Sequence, residues 1–192
     1  MNARDLICAV VEDWALWRDG GDFDRLATCW HPGGRMATTW GDFDAAGFVT
    51  AAQAAWDRGM DVIHLLGGTS VDVVDDRAVA QTRMTIQQRG LLDGSLVDVT
   101  CTGRFYDLFE RRDDRWAIVL RQPIYERDRV DPLVPGAVIA LDADQLGRFP
   151  IGYRHLACLQ AAAGMTVAPN LPGLRGPAVD ALYARGTRWL AG

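Results

Sequence analysis

Three residues of this chain have the type and setting for acid–base chemistry: His64, Asp19 and Arg121. His64 sits in Ile63-His64-Leu65-Leu66-Gly67-Gly68-Thr69, an imidazole inside an apolar run just before two glycines. Imidazole changes charge near neutral pH and can serve as base or acid. On this placement alone it reads equally well as a core histidine satisfied by backbone. Asp19 closes an amphipathic stretch at Asp19-Gly20-Gly21. The helix dipole opposes an acid at a C-terminus, so a compensating partner is expected. A carboxylate on the Nδ1 of a histidine would fix the tautomer and stabilise the protonated ring; taken alone, Asp19 is a polar residue at a helix end. Arg121 interrupts the apolar run Ala117-Ile118-Val119-Leu120, and alternation sets it on one face with Ala117, Val119, Pro123 and Tyr125. Facing inward it is a fixed cation for a substrate oxygen, carboxylate or leaving group. Facing outward it is a solvated arginine.

The elements that would position these groups follow from periodicity. Residues 3–18 carry Leu6, Ile7, Val10, Val11, Trp14 and Trp17 at helical spacing. Gly20-Gly21 end that helix and Asp22 caps a short second one through Trp30. His31-Pro32-Gly33-Gly34 reads as a turn, 35–40 as a strand, and Gly41 to Asp44 as a turn into a third helix capped by Asp42 or Asp44 and closed by Gly59. Four strand-like runs follow, 61–74, 77–89, 96–110 and 115–127, joined by Asp- and Gly-rich turns. Long consecutive strands with short turns predict an antiparallel meander. Helices before strands predict an α+β fold, with the helices packed on one face of a curved sheet around an interior pocket. Residues 128–150 change character at Asp131-Pro132-Leu133-Val134-Pro135-Gly136, and helical pieces at 152–163 and 177–189 follow. The division is a domain over 1–131 and an extension over 132–192 wrapped on it.

Composition narrows the partners. A net charge of −5 without a basic block disfavours nucleic acid and anionic membrane surfaces. No apolar run approaches the roughly 18 residues of a membrane span. The four cysteines are widely spaced, so buried free thiols in a reducing cytoplasm are expected, not a metal site or a disulfide framework. Four of the seven tryptophans lie in the first forty residues, which suggests an aromatic-lined cavity there. Gln81, Arg83 and Arg104 are expected on the solvent face, His31 in a surface turn, and His155 at the surface or an interface.

Three segments together carry a family likeness: Trp17-Arg18-Asp19-Gly20-Gly21-Asp22-Phe23-Asp24-Arg25-Leu26, then Ile63 to Thr69, then Gly103-Arg104-Phe105-Tyr106-Asp107-Leu108-Phe109-Glu110-Arg111-Arg112-Asp113-Asp114-Arg115-Trp116 running on to Arg121 and Tyr125. Over about residues 3–131 the chain resembles the SnoaL-like branch of the nuclear transport factor 2-like superfamily. The histidine followed by Gly-Gly-Thr is similar to that of scytalone dehydratases. The resemblance implies a cone-shaped α+β barrel with a deep pocket, no cofactor, and a trimer. By likeness to those enzymes and to hexachlorocyclohexane dehydrochlorinases, Asp19 and His64 would form the pair that drives elimination, with Arg121 as the pocket arginine. There are departures. Arg18 stands where the dehydratases have a tyrosine, their second histidine has no counterpart near Val99 to Thr102, and Trp14 replaces a lysine or tyrosine of the related enzymes. Thr38 falls near the place of the ketosteroid isomerase base. The expected activity is therefore a cofactor-independent lyase acting on a small molecule, most simply a dehydratase. Trp14, Trp17, Met36, Trp40 and Tyr125 are expected to wall a flat, aromatic or polycyclic substrate. The same pair would serve a C–C lyase or a double-bond isomerase. The other class is a non-catalytic small subunit or ligand-binding module of the same fold.

Overall fold

The computed structural model describes residues 2–141 and 143–192. Helix α1 (Ala3–Gly20) starts at Asn2, whose side chain accepts from the Asp5 N–H while the Asp5 carboxylate accepts from the Asn2 N–H. This reciprocal pairing satisfies two amide donors that a helix start leaves without partners. The helix stops at Gly21, whose φ of 76° is the left-handed cap conformation. Its inward row is Ile7, Val11, Trp14, Ala15 and Arg18, so the buried stripe runs through Arg18 and leaves Trp17 to one side. Asp22 caps α2 (Phe23–Thr28) through the Arg25 N–H. Asp44, of the two aspartates expected there, caps α3 (Ala45–Asp57) through the Gly47 N–H.

Six strands form one curved sheet: β1 (Trp30–Thr38), β2 (Gly41–Asp44), β3 (Asp61–Val74), β4 (Arg77–Leu92), β5 (Ser95–Arg112) and β6 (Arg115–Pro132). Their order is β2-β1-β6-β5-β4-β3. The expected α+β class and the antiparallel run β3 to β6 are present. Strand β1 joins β6 in parallel, which makes the sheet mixed. Two expected turns are strand instead. His31-Pro32-Gly33-Gly34 lies inside β1 at a register break between Trp30 and Arg35, with Gly33 at φ 79°. Gly41 to Asp44 pairs with β1 as β2. A bulge and a turn both use a glycine at positive φ, so the residue types do not separate them.

Residues beyond β6 cover both faces of the sheet. Helix α4 (Ala143–Gly147) leads to α5 (Arg154–Ala162), which packs on β4, β5 and β6 and puts Leu156, Ala157 and Leu159 into the main core with α1. Helix α6 (Pro177–Ala191) packs on the opposite face, where Val179 and Leu182 meet Val79, Tyr106, Leu108, Leu120 and Ile124. Strand β5 is thus buried on both sides: Phe105 and Phe109 face the main core, Tyr106 and Leu108 face α6. Arg104 shares that covered face. It donates to Glu126 Oε1 at 2.7 Å, Gln81 Oε1 at 3.0 Å and the Tyr183 hydroxyl at 2.7 Å. The expected solvated arginine is half-buried because α6 roofs it.

Candidate active site

Strand β3 lies at the sheet edge, so part of its backbone faces away from β4 without a strand partner. Its burial alternates, with Val62 and His64 turned inward and Ile63 and Leu65 exposed. The last turn of α1 packs beside this edge and brings Asp19 to His64. Asp19 Oδ2 accepts from the His64 backbone N–H, and Asp19 Oδ1 lies 2.7 Å from His64 Nδ1. One carboxylate therefore grips both the backbone and the ring of the same residue. The contact assigns the proton to Nδ1, which leaves the lone pair of Nε2 with no protein hydrogen bond among the described residues. Burial is the largest influence on the ring and pushes its pKa below the ordinary value; the hydrogen bond and charge of Asp19 act against it.

His64 lines a cavity between the sheet, α1, α3 and α5. His64, Trp14, Met36, Thr39, Trp40, Phe48, Phe105 and Tyr125 line it, together with Arg18, Gln88, Leu156 and Gln160. Trp14 meets the His64 ring edge-on at a centroid distance of 5.2 Å. Burial holds the Tyr125 phenol well above its ordinary pKa, so it remains an O–H donor; contacts to Thr39 oppose the shift only partly. The free space is about 50 Å³, room for a few waters and well under the roughly 300 Å³ common for small-molecule sites. Leu156 and Gln160 bring α5 into its lining. Gln160 accepts from the Thr39 hydroxyl at 2.6 Å and donates to Gln88 Oε1 at 2.9 Å.

Of the residues expected from sequence, the fold gathers His64, Asp19, Trp14, Met36, Trp40 and Tyr125 around this space. Two lie elsewhere. Trp17 is half-buried off the inward row of α1 and stands near Arg25, 6.0 Å from ring to guanidinium, because the buried stripe passes through Trp14 and Arg18. Arg121 does point inward and is fully buried, but it does not line the cavity. Its guanidinium donates to both oxygens of buried Asp107, at 2.8 and 2.7 Å. It lies 4.4 Å from the Trp14 ring and 4.2 Å from Phe105, so its charge is matched beneath the aromatic wall.

Other charged and polar groups come from places that sequence reasoning passed over. Arg18 is 4% exposed; it follows Trp14 by four residues, the helical signal for a shared face. Gln88 continues the inward row Met84, Ile86 of β4. Gln160 comes from a distant helix and carries no such signal. His31, expected in a surface turn, is buried at the start of β1, with Nε2 2.9 Å from the Glu110 carbonyl and Nδ1 3.3 Å from Arg115 Nη2. His155, expected at the surface, is half-buried on Asp128, with Nδ1 at 2.8 Å. Among the described residues no group of three or more His, Cys, Asp or Glu could hold a metal ion, and no helix is long and apolar enough to cross a membrane.

The sequence profile of the SnoaL-like domain matches residues 1–122. The chain belongs to the SnoaL-like family. The SnoaL-like match ends inside β6, so α5 with Leu156 and Gln160 lies outside it. Among full-length relatives, a PEP2-like protein of Fusarium vanettenii is 34% identical over 95% of this chain and 83% of its own length. An uncharacterized protein of Emericella nidulans is 32% identical over 95% of this chain and 84% of its own. Among solved structures, a type 2 hexachlorocyclohexane dehydrochlorinase superposes with a TM-score of 0.58 at 17% identity, covering 73% of this chain and 95% of that one. A putative scytalone dehydratase of Novosphingobium aromaticivorans gives 0.56 at 15% identity, with 73% and 94% covered. At these identities the structural likeness establishes a shared SnoaL-like fold.

Proposed function

We propose that this protein is a lyase that eliminates water from a small cyclic substrate held in the α1–α3–α5 cavity, with His64 as the base. The observation that carries the reading is the two-point grip of Asp19 on His64, which fixes the ring and leaves Nε2 unbonded in a residue that lines an aromatic-walled space. In the reaction, Nε2 takes a proton from a substrate carbon made acidic by a neighbouring carbonyl or aryl group. The C–H electrons become the new π bond and the C–O electrons leave with the oxygen. That oxygen receives the proton from the imidazolium and departs as water. Asp19 stabilises the imidazolium between the two steps. Trp14, Met36, Trp40 and Tyr125 shape the space, and the Tyr125 hydroxyl can donate to a substrate oxygen. No electron leaves or enters, so the proton movements need only these side chains. The dehydrochlorinase and the putative dehydratase with the same fold make an elimination the natural first test. Incubation with a panel of cyclic β-hydroxy ketones, read by mass spectrometry, should show loss of one water. Equal turnover by His64→Ala would refute the assignment; carbon–carbon cleavage or an unchanged product mass would move the same pair to another reaction.

We further propose that the chain assembles as a homotrimer through edge strand β3, which leaves Ile63, Leu65, Val73 and Val74 exposed. Light scattering on the eluted peak should give three times the chain mass; a monomeric mass would count against it.

A further inference from the structure

Arg18 is a charged group in the cavity lining whose chemistry the elimination just described leaves unused. Its residue is 4% exposed and its side chain 5% exposed, beside the dyad on the last turn of α1. A guanidinium carries five N–H donors, yet Arg18 makes no hydrogen bond among the described residues, and its Nη1 is buried without a partner. The nearest acid is Asp19, at 3.9 Å from Nη1 to Oδ1. Both oxygens of that carboxylate are already directed at His64. Burial lowers the Arg18 pKa, with the Asp19 charge as the opposing influence. Arg121, the other cation near the dyad, has a carboxylate of its own in Asp107 and does not reach the cavity. A buried guanidinium with open donors is costly unless an anion completes it, and planar oxyanions match its fork.

We propose that Arg18 is a substrate-binding residue that recognises a carboxylate on the ring compound taken into the cavity. The proposal deepens the elimination reading by naming a substrate class, a cyclic acid, and it concerns binding rather than turnover. Arg18 also sits on the histidine side of the cavity, so the carboxylate would be bound close to Nε2, with the ring directed toward Trp40, Phe48 and Tyr125.

Benzoate and benzamide share a ring and a planar head group but differ in charge. Isothermal titration calorimetry of each against the intact protein should show benzoate binding at least tenfold tighter, with the preference shrinking as salt is raised. Arg18→Met and Arg18→Gln should reduce the preference to within about threefold while benzamide binding changes little; either variant serves if the other fails to fold. Equal affinity for the two probes in the intact protein, or an undiminished preference in a folded Arg18 variant, would overturn the proposal. The elimination reading is tested separately, by turnover of His64→Ala.

Discussion

Asp19 holds His64 at two points, one oxygen on the backbone N–H and the other 2.7 Å from Nδ1. The backbone contact is possible because β3 is an edge strand. The same carboxylate therefore caps a loose sheet edge and sets a tautomer. Replacing it with an amide should separate the two roles. Asp19→Asn retains an acceptor for the backbone N–H but loses the charge that stabilises the imidazolium. Turnover should fall by about 10²–10⁴-fold, with circular dichroism and melting changed far less. A variant that unfolds, or one with unreduced turnover, would show that the grip is structural.

The depressed pKa of His64 sets the pH dependence. The base works when neutral, so the acid limb of kcat/KM should lie below the ordinary histidine value of about 6.5. Burial is the first cause, and Asp19 partly opposes it. Removing the carboxylate should therefore move the limb further down. Stability follows the same sign. Below about 6.5 the unfolded histidine takes up a proton that the folded one resists, so stability is full above that pH and is lost as pH falls toward the folded pKa. Urea midpoints measured across this interval should slope for the wild type and flatten in His64→Gln. A limb above neutrality would contradict the burial argument.

Much of this arrangement was legible in the residues, and the misses have physical reasons. Helical spacing gave α1, while alternation left Arg121 free to face either way; the sheet turns it and His64 inward. What alternation could not give is the partner: Arg121 and Asp107 stand directly opposite on β6 and β5, a cross-strand register that appears only once the strands pair. Helical spacing sets Trp17 on one face with Leu6, Ile7, Val10, Val11 and Trp14, whereas the buried row is Ile7, Val11, Trp14, Ala15 and Arg18, so the helix is turned to bring Arg18 inward and leave Trp17 at the margin. Gln160 was beyond reach, since its place at the cavity depends on how residues 133–153 return the chain to the sheet.

That return has a consequence for access. With about 50 Å³ free, a ring needs the lining to move, and Leu156 and Gln160 of α5 are lining side chains whose withdrawal would widen it. Gln160→Ala removes the link between Thr39 and Gln88 and should speed association of ring ligands, measured by stopped-flow tryptophan fluorescence from Trp14 and Trp40. Leu156→Ala should do the same at a stability cost of about 2–5 kcal/mol. Unchanged association rates in both variants would mean that ligands enter by another path.

The opposite face offers a test of what α6 contributes. Gly186 lies where α6 crosses Tyr106, and a Cβ placed there would collide with the Tyr106 hydroxyl. Both residues are buried in the contact. Gly186→Ala should therefore destabilise, by about 1–3 kcal/mol, because the helix must lift or the ring must turn. Alanine is otherwise the better helix former by about 1 kcal/mol, so the sign of the change is diagnostic: close contact predicts a lower Tm, an unloaded helix a higher one. Tyr106→Phe removes the nearest colliding atom but keeps Cζ at 2.8 Å, so the double variant should recover part of the loss. Because α6 touches β3 and β4 on the face away from His64, benzoate affinity should be unchanged in Gly186→Ala at temperatures where the protein is folded. A loss of binding there would show that the two faces of the sheet are coupled.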